Sequence, residues 1–160
     1  MGFAHPLTQP IVGLRTVEKH TLKSPEGYEH LRALALRLAG KFEENQLNSP
    51  ERLAVFERIF GVKGRECVAS HPRFHGLIRD VATLALSLFF EDVDVEATAG
   101  RVAKAHFAMG VTAAQFVQGC FEILDFVEQE APGFYRVFQK NVRKLILKTT
   151  EITEQLVQEK

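Results

Sequence analysis

Apolar residues recur along this chain in steps of three and four, the spacing that lines one face of an α-helix. No stretch keeps the strict alternation of a half-buried strand. Ser24-Pro25 and Ser49-Pro50 each set a serine before a proline. The hydroxyl can cap free N–H groups, and the proline takes the first helical position, where its missing N–H costs nothing. Two helix starts are thereby predicted. After the first, Tyr28, Leu31, Ala35, Leu38 and Phe42 form one stripe. After the second, Leu53, Phe56, Ile59 and Phe60 do the same until Gly61 and Gly64 interrupt.

Pro72 opens the next segment, where Phe74, Ile78, Val81, Ala85 and Leu88 form a stripe that Leu77, Leu84, Leu86, Phe89 and Phe90 widen. A helix apolar around so much of its circumference should be the most buried. Asp94 is a candidate cap for a helix that places Val95, Ala99, Val102 and His106 on one face. Gly110 should end it, and Thr112 with Gln115 has the spacing of a capping box for the following helix, striped by Phe116, Cys120, Ile123 and Val127. Past Ala131-Pro132-Gly133, Phe138, Val142, Leu145, Thr149, Ile152 and Leu156 alternate steps of four and three, a seam suited to a partner helix. Residues 1–23 carry only a short apolar group, Ile11, Val12, Leu14 and Val17, and read as an N-terminal arm with one short helix. Residues 24–160 read as one all-α domain.

Composition narrows the function. Lys plus Arg and Asp plus Glu each number 20, so no net field favours nucleic acid or an anionic membrane. The apolar run Val81 to Phe90 is far shorter than the roughly 20 residues of a membrane-spanning helix. The opening residues lack the pattern of a secretory signal, and cytoplasmic placement is expected. Cys67 and Cys120 lie far apart and match no metal-ligand spacing, so both read as reduced thiols. Thirteen Phe beside two Tyr and no Trp implies either a Phe-rich core or an apolar ligand cavity. No phosphate-binding glycine loop, nucleophile elbow or paired carboxylates occur, so no catalytic residue is assigned and an enzyme is not expected.

Histidines are the remaining candidates. His106 on an apolar face is expected to fix helix packing, with pH sensing as the functional alternative. His71 and His75 are four apart, but Pro72 between them puts His71 at or before the helix start, and no metal site is assigned.

The stretch Arg101 to Phe116, RVAKAHFAMGVTAAQF, resembles the helix-turn-helix of the globin-coupled sensor family through Arg101, Val102, His106, Gly110, Val111 and Phe116. The family's Pro-x-Trp-Tyr after the glycine is replaced here by AAQF. The resemblance, which extends over about Pro25 to Val157, implies a globin-like fold of about six to seven helices. It also implies a homodimer made by the last two long helices, about Ala113 to Glu130 and Phe134 to Gln158, with the seam Phe138 to Leu156 between copies. Haem-binding members carry a proximal histidine where this chain has Ala82 to Leu86. No histidine occurs from Gly76 through Ala105, and Val, Ala and Leu offer iron no donor.

The chain therefore looks like a non-haem member, similar to bacterial stressosome scaffold domains and to sporulation-inhibitory sensor domains that hold a fatty acid. No cofactor is expected. An apolar small molecule would be lined by Phe74, Leu77, Val81, Leu84, Phe89, Phe90 and Phe107, and signal would pass to a C-terminal output domain or a separate partner. Arg101, His106, Gly110 and Phe116 would be structural. The alternative is a haem-based gas sensor with His75 as displaced axial ligand.

Overall fold

Local capping chemistry sets most helix boundaries in the computed structural model, which describes residues 25–159. Among the described residues the chain is all-α, with seven helices and no strand: α1 (Pro25–Asn48), α2 (Pro50–Phe60), α3 (Arg65–Ala69), α4 (Pro72–Ser87), α5 (Val95–Met109), α6 (Ala113–Glu130) and α7 (Pro132–Gln158). Ser24 and the N-terminal arm lie outside the described residues. The chain divides into two compact units that meet in sequence at Phe90 and Glu91.

In the first unit α1 packs chiefly on α4, with α2 and α3 filling in at its C-terminal end. Leu31, Leu34, Ala35, Leu38, Ala39 and Leu47 are the buried apolar side chains of α1, while Tyr28 and Phe42 are half-buried. Only Ser49 separates α1 from α2. Its hydroxyl accepts the Arg52 N–H at 3.4 Å, and Pro50 follows as the sequence pattern predicts. Gly61 ends α2 with φ +67°, a left-handed conformation that a Cβ would strain. The Glu57 carboxylate then accepts the Gly64 N–H at 2.7 Å and fixes the loop into α3.

Two features of this unit differ from the sequence expectation. The single turn α3 has no counterpart in the periodicity, because five residues are too few to display a stripe. Helix α4 stops at Ser87, whose hydroxyl donates to the Leu84 carbonyl at 2.6 Å, so the buried Leu88, Phe89 and Phe90 follow the helix rather than extend it. Within α4 the buried line is Phe74, Ala82, Ala85 and Leu86, and Leu77, Ile78, Val81 and Leu84 are half-buried.

The second unit is built on α7, a 27-residue helix that packs against both α5 and α6. Asp94 caps α5 by accepting the Ala97 N–H at 3.0 Å. The buried face of α5 is Thr98, Ala99 and Ala103, small side chains that let a neighbouring backbone come close, while Val95, Val102 and His106 sit half-buried at its border. Thr112 and Gln115 form the expected capping box at α6, with reciprocal bonds of 3.1 and 2.9 Å. Such a cap contributes about 1 kcal/mol. Cys120, Leu124 and Val127 are the buried line of α6.

On α7, Phe138, Val142, Leu145 and Thr149 are buried within the chain, each no more than 2% exposed. Ile152 and Leu156 are half-buried. Four of the six seam positions are thus spent on the chain's own core, and only the last two present apolar surface outward. That redistribution bears directly on how α7 could meet another helix.

Candidate functional site

The most concentrated chemistry of the first unit is aromatic. Leu47, Phe56, Val68 and Phe74 form a buried cluster, bordered by Leu53, Phe60, Val62, Ala69, Leu77 and Ile78. Phe56 meets Phe74 edge to face, with centroids 5.2 Å apart and planes at 79°, and meets Phe60 in a stacked arrangement at 5.8 Å. Edge-to-face and offset contacts align ring edges with ring faces and add to plain area burial. Phe60 is covered in turn by the His71 imidazole, nearly parallel at 4.4 Å, and by the Arg73 guanidinium at 5.3 Å.

His71 is the N-cap of α4. Its Nδ1 accepts the Arg73 N–H at 3.1 Å, which fixes that nitrogen as the unprotonated one. Cap and ring stack together give His71 a local structural role. His75, one turn further, is exposed. The two imidazoles therefore lie in different settings, and no group of three or more His, Cys, Asp or Glu side chains able to hold a metal ion occurs among the described residues.

Of the residues assigned from the resemblance to an apolar pocket, Phe74 and Leu77 come together in the aromatic cluster. Val81 and Leu84 continue along α4 as half-buried positions, and Phe89 and Phe90 are buried just beyond its end. Phe107 is half-buried on α5, in the second unit. Leu77, Val81 and Leu84 thus form an α4 stripe that keeps some apolar surface accessible beside a closed core.

The motif Arg101 to Phe116 spans the α5–α6 turn. Gly110 takes φ +76°, and the Val111 N–H reaches the His106 carbonyl at 2.9 Å, closing the last turn of α5. The His106 ring lies 5.2 Å from that of Phe116, so the two motif aromatics bridge the turn. Nδ1 of His106 is buried with no partner at hydrogen-bonding geometry. Burial pushes the imidazole pKa below its ordinary value and outweighs the Val102 carbonyl, which works in the opposite direction. Arg101 is exposed and, among the described residues, reaches the Thr98 hydroxyl at 3.5 Å.

Both cysteines are free. Cys67 is exposed on α3, whereas Cys120 is buried and its thiol is pushed up to about 12, which keeps it protonated and unreactive. Helical periodicity leaves unmarked three exposed large apolar side chains of the second unit, Phe121 on α6 and Leu147 and Val157 on α7, 56%, 71% and 58% exposed. Each lies off the apolar stripe of its helix, and that off-stripe position is the signal that could have revealed them.

No helix among the described residues is long and apolar enough to cross a membrane. Comparison of the chain with known protein families, curated proteins and solved structures found no match.

Proposed function

We propose that this chain is a non-enzymatic sensory or regulatory domain, globin-like in architecture and haem-free, that takes an apolar small molecule against α4 and signals as a homodimer through its two C-terminal helices. The observation that carries the reading is the α4 stripe Leu77, Val81 and Leu84, half-buried beside the Phe56–Phe74 cluster. It offers accessible apolar surface on a well-packed support, the composition expected of a small-molecule site. The stripe itself offers iron no donor: from Gly76 through Ala105 there is no histidine, and Leu77, Val81 and Leu84 are aliphatic. His75 is the nearest imidazole, and its exposure would hold a metal on the solvent side of the helix rather than among the aromatic residues.

The resemblance of Arg101–Phe116 to the globin-coupled sensors supports the sensory assignment, and α7 supplies a continuous element about 40 Å long at ~1.5 Å per residue through which a change could be transmitted. The reading is tested by absorption spectroscopy before and after hemin addition, followed by organic extraction and mass spectrometry of the same protein. No Soret band together with an extracted apolar species is expected. A Soret band titrating to one haem per chain and lost in His75→Ala would overturn the haem-free assignment, and neither band nor ligand would overturn the small-molecule role.

A further inference from the structure

Helix α4 begins on a cap that can be switched off. Ser, Thr, Asp and Asn ordinarily fill an N-cap, and their side-chain oxygens still accept hydrogen bonds in mildly acid solution. Here the position belongs to His71, in extended backbone with φ −71° and ψ 133°. Pro72 has no N–H, so the Arg73 amide is the first donor of the helix, and Nδ1 of His71 is its partner at 3.1 Å. The His71 carbonyl accepts the Phe74 and His75 N–H groups at 3.0 and 3.2 Å, so one residue holds the whole first turn. Stacking on Phe60, nearly parallel at 4.4 Å, keeps the imidazole in place.

An imidazole nitrogen accepts only while it carries no proton. A second proton on the ring turns Nδ1 into a donor, and two N–H groups then face each other where the cap bond was. The new positive charge also stands at the N-terminus of a 16-residue helix, the end that favours anions. It shares the Phe60 ring with the Arg73 guanidinium, which lies 5.3 Å from the ring centre. The ring face attracts either cation, but it supplies no acceptor for the Arg73 amide.

The neighbouring elements carry both signs of charge without compensating this one. On α2, Glu57 accepts the Gly64 N–H and stands 4.0 Å from the Lys63 ammonium, and Arg58 is a further cation. On α3, Arg65, Glu66 and Cys67 are exposed, as are Arg73 and His75 on α4. Among the described residues no carboxylate makes an ion pair or hydrogen bond with either ring nitrogen of His71.

We propose that His71 is a proton-operated latch on α4: the neutral imidazole closes the first turn, and the imidazolium releases it. Two residues beyond the Pro72 start lies Phe74, fully buried and edge-on to Phe56, so release loosens the end of α4 that enters the aromatic cluster. The latch does not depend on the small-molecule reading, because it concerns the helix start itself.

The test is NMR of the full chain at about pH 8 and about pH 5, on either side of the range in which an ordinary imidazole titrates. At the higher pH, long-range proton–nitrogen spectra should show His71 with Nδ1 bare and the proton on Nε2. At the lower pH both nitrogens should be protonated. Protection of the Arg73 amide against exchange, corrected for the intrinsic rate at each pH, should then fall about fivefold, the effect of losing a typical N-cap. His71→Asn, a cap that does not titrate in this range, should keep that amide protected at both pH values. His71→Phe, which keeps a ring for Phe60 but has no acceptor, should leave it unprotected at both. A proton on Nδ1 at about pH 8, equal protection of the wild-type amide at both pH values, or an unchanged pH response in His71→Asn would overturn the latch. The first two outcomes are read on the wild type, so they decide the matter even where a variant fails to fold.

Discussion

The two units reach a buried core by opposite means. The first concentrates it: Phe56, Phe60 and Phe74 come from two helices joined by a one-turn connector, and ring-on-ring geometry fixes them within a few ångströms. The second distributes it along α7, where Phe138, Val142, Leu145 and Thr149 repeat over several turns while α5 contributes Thr98, Ala99 and Ala103. A concentrated aromatic core is sensitive at one point, because each ring determines how its neighbours pack. A distributed core of large side chains on one helix and small ones on another depends on register, and it leaves whole helix faces free for other uses.

The largest expected effect is therefore in the first unit. Phe74→Ala should destabilise it by about 3–5 kcal/mol in urea denaturation, since the ring is fully buried and its loss leaves a cavity among aromatic side chains. A double-mutant cycle with Phe56→Ala should show coupling of about 0.5–1.5 kcal/mol from the edge-to-face pair. Additive losses would mean that the cluster is no more concentrated than the seam of α7.

Smaller effects compare the helix starts of the two units. Thr112→Ala removes one half of a reciprocal capping box and should cost about 1 kcal/mol. Ser49→Ala, which removes a single longer bond of 3.4 Å, should cost less. The reverse order in thermal melts would show that bond geometry does not rank these caps.

Smallest at neutral pH is the contribution of His106. Its pKa is held below the ordinary 6.5 by burial, so the unfolded chain binds the proton more readily than the folded one. The imidazole costs nothing in this respect above that ordinary value and destabilises the fold progressively as pH falls from there through the folded value. His106→Phe should flatten this acid-side loss of stability, and an identical pH profile for variant and wild type would remove the imidazole from the account.

Much of the helical order is legible in the sequence because capping is local chemistry. Ser49, Asp94, Gly110 and the Thr112–Gln115 pair mark helix ends through bonds that each makes with its own neighbours. Burial is less legible, because it depends on partners distant in sequence. On α5 the apolar stripe Val95, Ala99, Val102 and His106 coincides with the buried face at Ala99, whereas the other inward positions are Thr98 and Ala103, which hydropathy ranks below valine but whose small size suits a close helix contact. At the end of α4 the pair Phe89-Phe90 extends an apolar run past the last helical residue, since hydrophobicity reports burial and not backbone conformation. Phe74 and Leu77, three residues apart on α4, meet in the aromatic cluster, as helical spacing allows. The off-stripe positions of Phe121 and Leu147 already point outward, and the packing of α5 and α6 on α7 settles which faces are covered.

The single residue between α1 and α2 has a mechanical consequence. A one-residue joint bounded by Pro50 transmits azimuth as well as position: each residue added to an α-helix rotates the chain beyond it by about 100°. Lengthening α1 by one residue before Ser49 would thus put the second helix out of phase and swing Phe56 away from Phe74. Ser49 acts as an elbow without slack, and it sets the phase in which the aromatic cluster closes.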